Sequence, residues 1–346
     1  MSVAMKLFGK TKEGKEAYLF TLLNERGMKA EVTNYGAILV SLHAFSKSGK
    51  IKDVVLGYDK LEEYFKNPMM LGATVGRNVN RIEGAKFKID DVLYELVDNN
   101  NGNNIHSDKE HGFHKILWDF NVICDNSVEF YYRSVDGEQG FPGNLDVSVT
   151  YSLTNANGLI ISYRAISDKK TLINLTNHTY FNLNGHESGS ILDTVVTINA
   201  NQYTPIKKGL IPTGEIATVK NTVFDFEVPK IIGKEIESDC EQLRLAQGYD
   251  HNFVLNYQNI GIRKIAEASS ESGITMEVYS DQPGLQFYTG NTMKQTVGKG
   301  STVYQKRGGF CMEPHFYPNS INIKHFPSPI FDKGMEFKTT TIYQFV

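Results

Sequence analysis

Between residues 145 and 165 the chain alternates apolar and polar side chains with a period of two. Leu145, Val147, Val149, Tyr151 and Leu153 interleave with Asp146, Ser148, Thr150, Ser152 and Thr154, and after Asn157-Gly158 the alternation resumes through Leu159, Ile161, Tyr163 and Ala165. Only a strand sends successive side chains to opposite faces, and Asn-Gly tolerates the positive φ of a tight turn, so the segment predicts a half-buried β-hairpin. Similar pairs are expected around Asp90-Asp91 (86–90 with 92–97) and Asp125-Asn126 (119–124 with 128–133). Further strands are expected over 29–33, 38–45, 195–200, 274–279 and 335–345. Helical periodicity is confined to a short stretch around Leu61, Tyr64 and Phe65 and an irregular one over 230–246. Many strands at short spacing with few short helices predict an all-β, antiparallel sandwich or barrel rather than repeated βαβ units. No linker, low-complexity tract or fixed-period repeat interrupts the sequence, so 1–346 is read as a single domain with long loops.

Charge excludes some partners. Lys and Arg number 36 against 39 Asp and Glu, a formal charge of −3, which is no electrostatic footprint for nucleic acid. Four lysines (Lys6, Lys10, Lys12, Lys15) break up the N-terminal stretch where a secretory signal would need an apolar run, and no later run is long enough to span a bilayer. Cys124, Cys240 and Cys311 are too few and too scattered for a disulfide framework, which favours a reducing compartment and hence a cytoplasmic location. Dinucleotide, P-loop, zincin and nucleophile-elbow motifs are all missing, and Gly298-Lys299-Gly300 reads as an ordinary turn.

The histidines and two acids carry more. His111 and His114 have a spacing that suits a metal, but Gly112 lies between them and no third ligand is near, so they read as loop histidines. His106 sits in the amide-rich Asn101-Gly-Asn-Asn-Ile-His106, and His178 in Ile173-Asn-Leu-Thr-Asn-His-Thr-Tyr-Phe-Asn-Leu183. Taken alone, each reads more readily as a satisfied structural histidine than as a functional one. Asp250 is flanked by Tyr249, His251 and Asn252. Glu313 lies in the apolar Gly309-Phe-Cys-Met-Glu-Pro314, where a carboxylate is costly to bury unless paired. Aromatics interleave with amides around all of them (Tyr180, Phe181, Asn182; Gln286, Phe287, Tyr288). That composition suits a neutral sugar, whose apolar faces stack on rings while amides, imidazoles and carboxylates take the hydroxyls.

Six segments in order, Gly76-Arg-Asn-Val-Asn-Arg-Ile82, Asn103-Asn-Ile-His106 with Gly112-Phe113, Asn177-His-Thr-Tyr-Phe-Asn-Leu183, Gly248-Tyr-Asp-His-Asn-Phe253, Pro283-Gly-Leu-Gln-Phe-Tyr-Thr-Gly-Asn291 and Gly309-Phe-Cys-Met-Glu313, resemble the signatures of the aldose 1-epimerase, or galactose mutarotase, family. The resemblance implies a galactose-mutarotase-like β-supersandwich that interconverts the α and β anomers of a free aldose such as galactose or glucose, with the monosaccharide as its partner and neither metal nor organic cofactor. By position, Glu313 matches the family's catalytic base and His178 its acid. Asn80, Arg81, His106, Tyr180, Asp250 and Gln286 fall where the family contacts the sugar, and Arg77 either joins them or forms a structural ion pair. Two stretches depart from the pattern: Ser107-Asp-Lys-Glu-His111 stands where glycines often follow His106, and Pro314-His-Phe-Tyr-Pro-Asn319 replaces the usual Thr-Gln after Glu313 and a later Asp. Other readings are a glycoside hydrolase using Asp250 and Glu313, a non-catalytic sugar-binding module, and a sugar-phosphate epimerase with Arg77, Arg81 and Lys115 around the phosphate. A monomer and a homodimer fit the sequence equally.

Overall fold

The computed structural model describes residues 3–256 and 261–346. Its largest sheet has nine antiparallel strands in the spatial order Asp119–Cys124, Ser127–Ser134, Leu145–Leu153, Gly158–Ser167, Glu336–Phe345, Thr275–Ser280, Arg263–Ser269, Val195–Ile198 and Lys230–Ile231. The predicted hairpin runs in register from Leu145 opposite Ser167 to Leu153 opposite Leu159, and its odd-numbered apolar residues are buried. The C-terminal strand Glu336–Phe345 adds itself beside Gly158–Ser167, so the end of the chain completes the middle of the sheet.

Two five-stranded sheets accompany it. One is an N-terminal meander of Ala4–Lys10, Glu16–Leu23, Lys29–Thr33, Ile38–Phe45 and Ile51–Asp53; the other orders Ala217–Thr218, Gln202–Tyr203, Asp250–Val254, Gly284–Tyr288 and Cys311–His315. One apolar cluster joins all three, drawing Phe20, Leu22 and Leu39 from the meander, Val147, Val149 and Phe345 from the large sheet, and Phe253, Leu285, Phe287 and Met312 from the third. Tyr343 also donates across the layers to the Met312 carbonyl at 2.9 Å. The sheets are open and packed on each other, which is the sandwich and not the barrel of the two architectures expected.

Helix is scarce among the described residues: Leu61–Tyr64 and Glu241–Ala246. The helix expected over 230–246 is therefore mostly something else. Lys230–Ile231 pairs with Val195 and Val196 as the last strand of the large sheet, Ile232–Lys234 is a 3₁₀ turn, and only the final six residues are α-helical. Ile232 and Ile236 bury in the main cluster at a spacing that imitates helical periodicity. Ala4–Lys10 escaped sequence reading for the opposite reason: it is an edge strand exposed along most of its length, so no alternation marks it.

Candidate active site

Three strands of the third sheet supply the floor of a cleft of about 350 Å³. Along each, alternate residues leave opposite faces: His251 and Phe253 oppose Asp250 and Asn252, Leu285 and Phe287 oppose Gln286 and Tyr288, and Met312 and Pro314 oppose Cys311, Glu313 and His315; of the second set Asp250, Gln286, Tyr288 and Glu313 line the cleft. Register does the rest. Gln286 stands opposite both Asn252 and Glu313, and Tyr288 opposite both Asp250 and Cys311. Cys311–His315 is the edge of this sheet. Thr176–His178, itself paired with Ala73–Val75, lies along that edge, with the Thr176 hydroxyl donating to the Pro314 carbonyl at 3.0 Å. Pro314 has no N–H to leave unpaired on an edge strand.

That docking brings the two principal residues together. His178 Nε2 lies 3.8 Å from Glu313 Oε1, with 7% of His178 and 2% of Glu313 exposed. Burial pulls the His178 imidazole down to about 4. It pushes the Glu313 carboxyl well above the ordinary carboxylate range, helped by the neighbouring Asp250 and opposed by Arg81. Both effects have one cause: a poorly solvated site disfavours either charge. Over a wide pH range the pair therefore holds one proton, and burial places it on Glu313 when the cleft is empty. The Cys311 thiol approaches the other imidazole nitrogen, Sγ to Nδ1 at 3.6 Å, and burial keeps it protonated.

His178, Cys311 and Glu313 offer atoms within 4.8 Å of one another. Sulfur and carboxylate nevertheless face opposite ring nitrogens, so an ion bound through one nitrogen would be badly placed for the residue beyond the other. Their geometry is that of a proton-transfer pair with a thiol behind the imidazole.

The other predicted residues line the same cleft. Arg81–Ile82 pairs with Asn104–Ile105, so the chain leaves that ladder at His106, which turns to φ 56° and accepts the Asn80 backbone N–H at Nδ1, 3.2 Å away. Asn80 sits at φ 65°, a conformation Asn tolerates well, and its side chain accepts the Arg81 N–H at 2.8 Å. Arg81 Nη1 is 3.8 Å from Asp250 Oδ2, while Gln286 Nε2 donates to Asp250 Oδ1 at 2.6 Å. Burial still raises the Asp250 carboxyl against these two contacts. Tyr180 stacks on His178 with ring centres 5.1 Å apart, and His106 meets His178 edge-on at 5.3 Å. Burial and the positive charge of its neighbours hold His106 well below its ordinary value.

Arg77 is placed elsewhere. It is fully buried and donates to Ser134 Oγ and to the carbonyls of Ser134, Val135 and Pro142 at 2.8–3.1 Å, so it is a structural bridge, made with carbonyls rather than a carboxylate. Lys115 is similarly taken up by the Phe65 and Lys66 carbonyls. The phosphate reading loses two of its three cations. His111 is exposed beside Asp108, and His114 is buried with Nε2 3.1 Å from the Lys109 carbonyl. Gly298-Lys299-Gly300 is a turn, as read, yet Lys299 is buried and paired with Asp53 and the Val40 carbonyl.

Sequence reading left out Tyr288 and Cys311 as site residues. Tyr288 packs edge-on against Tyr180 at 5.9 Å and His178 at 6.5 Å. The available signal was periodicity, because Tyr288 follows Gln286, and Cys311 precedes Glu313, by two residues on a strand.

Comparisons with known proteins point to one family. The family described as Aldose 1-epimerase matches residues 18–344. The chain is 39% identical over 346 residues to galactose mutarotase of Sus scrofa, covering all of this chain and 99% of that one. It is 36% identical over 337 residues to aldose 1-epimerase of Escherichia coli (strain K12), covering 96% of each. Among solved structures, galactose 1-epimerase from Lactobacillus acidophilus NCFM superposes with a TM-score of 0.87 at 30% identity, covering 100% of this chain and 99% of that one.

Proposed function

This chain belongs to the aldose 1-epimerase family and interconverts the anomers of aldoses; from that premise we propose how its cleft does so. Anomer exchange requires loss of the C1-hydroxyl proton and protonation of the ring oxygen, whereupon the C1–O5 bond opens. Rotation about C1–C2 presents the other face of the aldehyde, and closure reverses both transfers. Glu313 as carboxylate takes the C1-hydroxyl proton, and His178 as imidazolium donates to O5. No covalent nucleophile is involved. The observation that carries this reading is the 3.8 Å approach of these two buried groups at the floor of the cleft.

The electrostatics give the step a direction. Ring opening turns the charged pair, carboxylate and imidazolium, into the neutral pair that burial favours. The charged form thus stands at higher energy, and discharges by doing the reaction. Positioned proton transfer of this kind contributes typically about 10²–10⁴-fold.

Asp250, oriented by Arg81 and Gln286, accepts sugar hydroxyls in charge-assisted hydrogen bonds; this engagement makes it an anchor rather than the second catalytic carboxylate of a glycosidase. Tyr180 and Tyr288 supply apolar contact, and His106 and Asn80 further polar contacts. We read 1–346 as one domain, supported by a core that draws on Phe20 and Phe345 alike. Free thiols at Cys124, Cys240 and Cys311 support the reducing, cytoplasmic setting. Polarimetry on freshly dissolved α-galactose and α-glucose tests the function: the wild type should accelerate mutarotation of at least one and His178→Asn should return it to near the spontaneous rate. An unchanged rate in His178→Asn would refute the assignment.

A further inference from the structure

His315 lies one step beyond the acid–base pair. It follows Glu313 by two residues on Cys311–His315, so both side chains leave the same face of the strand. The residue is fully buried, and its Nδ1 is bonded to the Phe316 carbonyl oxygen. A carbonyl can only accept, so Nδ1 carries the proton and Nε2 is left as a lone-pair acceptor. Among the described residues nothing donates to it. Three other buried acceptors on this sheet face share that condition: Glu313 Oε2, Gln286 Oε1 and Asn252 Oδ1. Asn252 and Glu313 flank Gln286, and His315 stands opposite Gly284. A Cβ on Gly284 would lie 2.3 Å from Asn252 Oδ1, so the absent side chain leaves room for this polar cluster.

Buried acceptors without donors are costly, and a buried water supplies two hydrogens to a polar site. We infer that His315 is a positioning residue of the catalytic pair, sharing a buried water with the Glu313 carboxylate. One hydrogen goes to His315 Nε2 and the other to Glu313 Oε2, leaving Oε1 for the sugar side. The inference rests on Glu313 being the base. It also gives a role to one of the sequence's departures, because His315 falls in the Pro314-His315 that replaces the family's usual Thr-Gln.

A donor on Oε2 stabilises the ionised carboxylate and so raises the share of the charged pair from which the ring opens. The titratable groups facing Glu313 are Asp250, Arg81, His178, Tyr180 and Cys311, with Tyr163 and Tyr343 from the large sheet behind it. Those facing His315 are His178 and His106. None of them donates to Glu313 Oε2 or His315 Nε2.

The test compares His315→Leu and His315→Gln across the pH profile of kcat/KM for the aldose the wild type turns over best. Losing the shared water raises the Glu313 pKa, so in His315→Leu the alkaline limb should move up by about one unit while the plateau falls by the same factor, about tenfold. KM should stay within about twofold, and His315→Gln, whose carbonyl accepts from the same water, should recover to within about threefold of wild type. If His315→Leu does not fold, His315→Met is read by the same criteria. A plateau loss without movement of the alkaline limb, a wild-type profile, or a Gln variant no better than the apolar one would each overturn the proposal. Full activity in Glu313→Gln would instead remove its premise.

Discussion

Glu313→Gln should cost activity and add stability, and both signs follow from one environment. Glu313 is 2% exposed, no side chain or backbone group among the described residues donates to its Oε2, the imidazole 3.8 Å away is kept neutral by burial, and Arg81 is the positive charge that opposes the cost of burial. The carboxyl is thus raised in the folded chain from an ordinary value of 4.5. A group raised on folding contributes its full stability below the unfolded value and loses it as pH climbs toward the folded one, at about 1.4 kcal/mol per unit. Glutamine has nearly the same shape and does not ionise, so it escapes that loss. Its melting temperature should exceed that of the wild type at pH 7, with the gap narrowing toward pH 5. Meanwhile removal of the base should lower kcat by about 10²–10⁴-fold, or roughly 3–5 kcal/mol of barrier. Thermal denaturation across pH, followed by polarimetry on the same preparations, reads both. A variant that melts below the wild type at pH 7, or keeps more than about a tenth of its activity, would refute the reasoning.

Three further outcomes are expected. In the wild type, kcat/KM should fall below about pH 4, where His178 gains a second proton for the pair while Glu313 is already protonated and no base remains; a pH–rate profile checks it. Asp250→Asn keeps the shape but loses the charge that Arg81 and Gln286 orient. KM for the sugar should rise about 10-fold or more, the worth of a charge-assisted bond, with a smaller change in kcat. Arg77→Met should destabilise the fold by roughly 3 kcal/mol or more, since it removes four hydrogen bonds made by a fully buried guanidinium to the Ser134 hydroxyl and the Ser134, Val135 and Pro142 carbonyls. KM of the folded fraction should be unchanged, measured by urea titration beside steady-state kinetics.

Strand structure could be read wherever a strand has one wet and one dry face. Leu145–Leu153 and Gly158–Ser167 are such strands, and their ends fall within two residues of those expected. The site strands Asp250–Val254, Gly284–Tyr288 and Cys311–His315 were not read as strands, because both faces are buried, one in the core and one in the cleft. Their alternation is between apolar residues and functional ones, and a search for solvent-facing positions passes over it. Arg77 and Arg81 show the same limit: four residues apart in one motif, they differ in role only because Arg81 emerges beside Asp250 while Arg77 points into carbonyls 57 or more positions away.

The sequence by itself determined the strand periodicity, the near-neutral charge and the residue types a sugar isomerase needs, since these are properties of neighbours along the chain. Folding decided which of nine histidines lies against which carboxylate. The approach of His178 to Glu313 exists because a short strand docks on a sheet edge, and the proton affinities of both follow from the water that docking excludes. Neither distance nor dielectric is a local property, so neither could be read before the chain was folded.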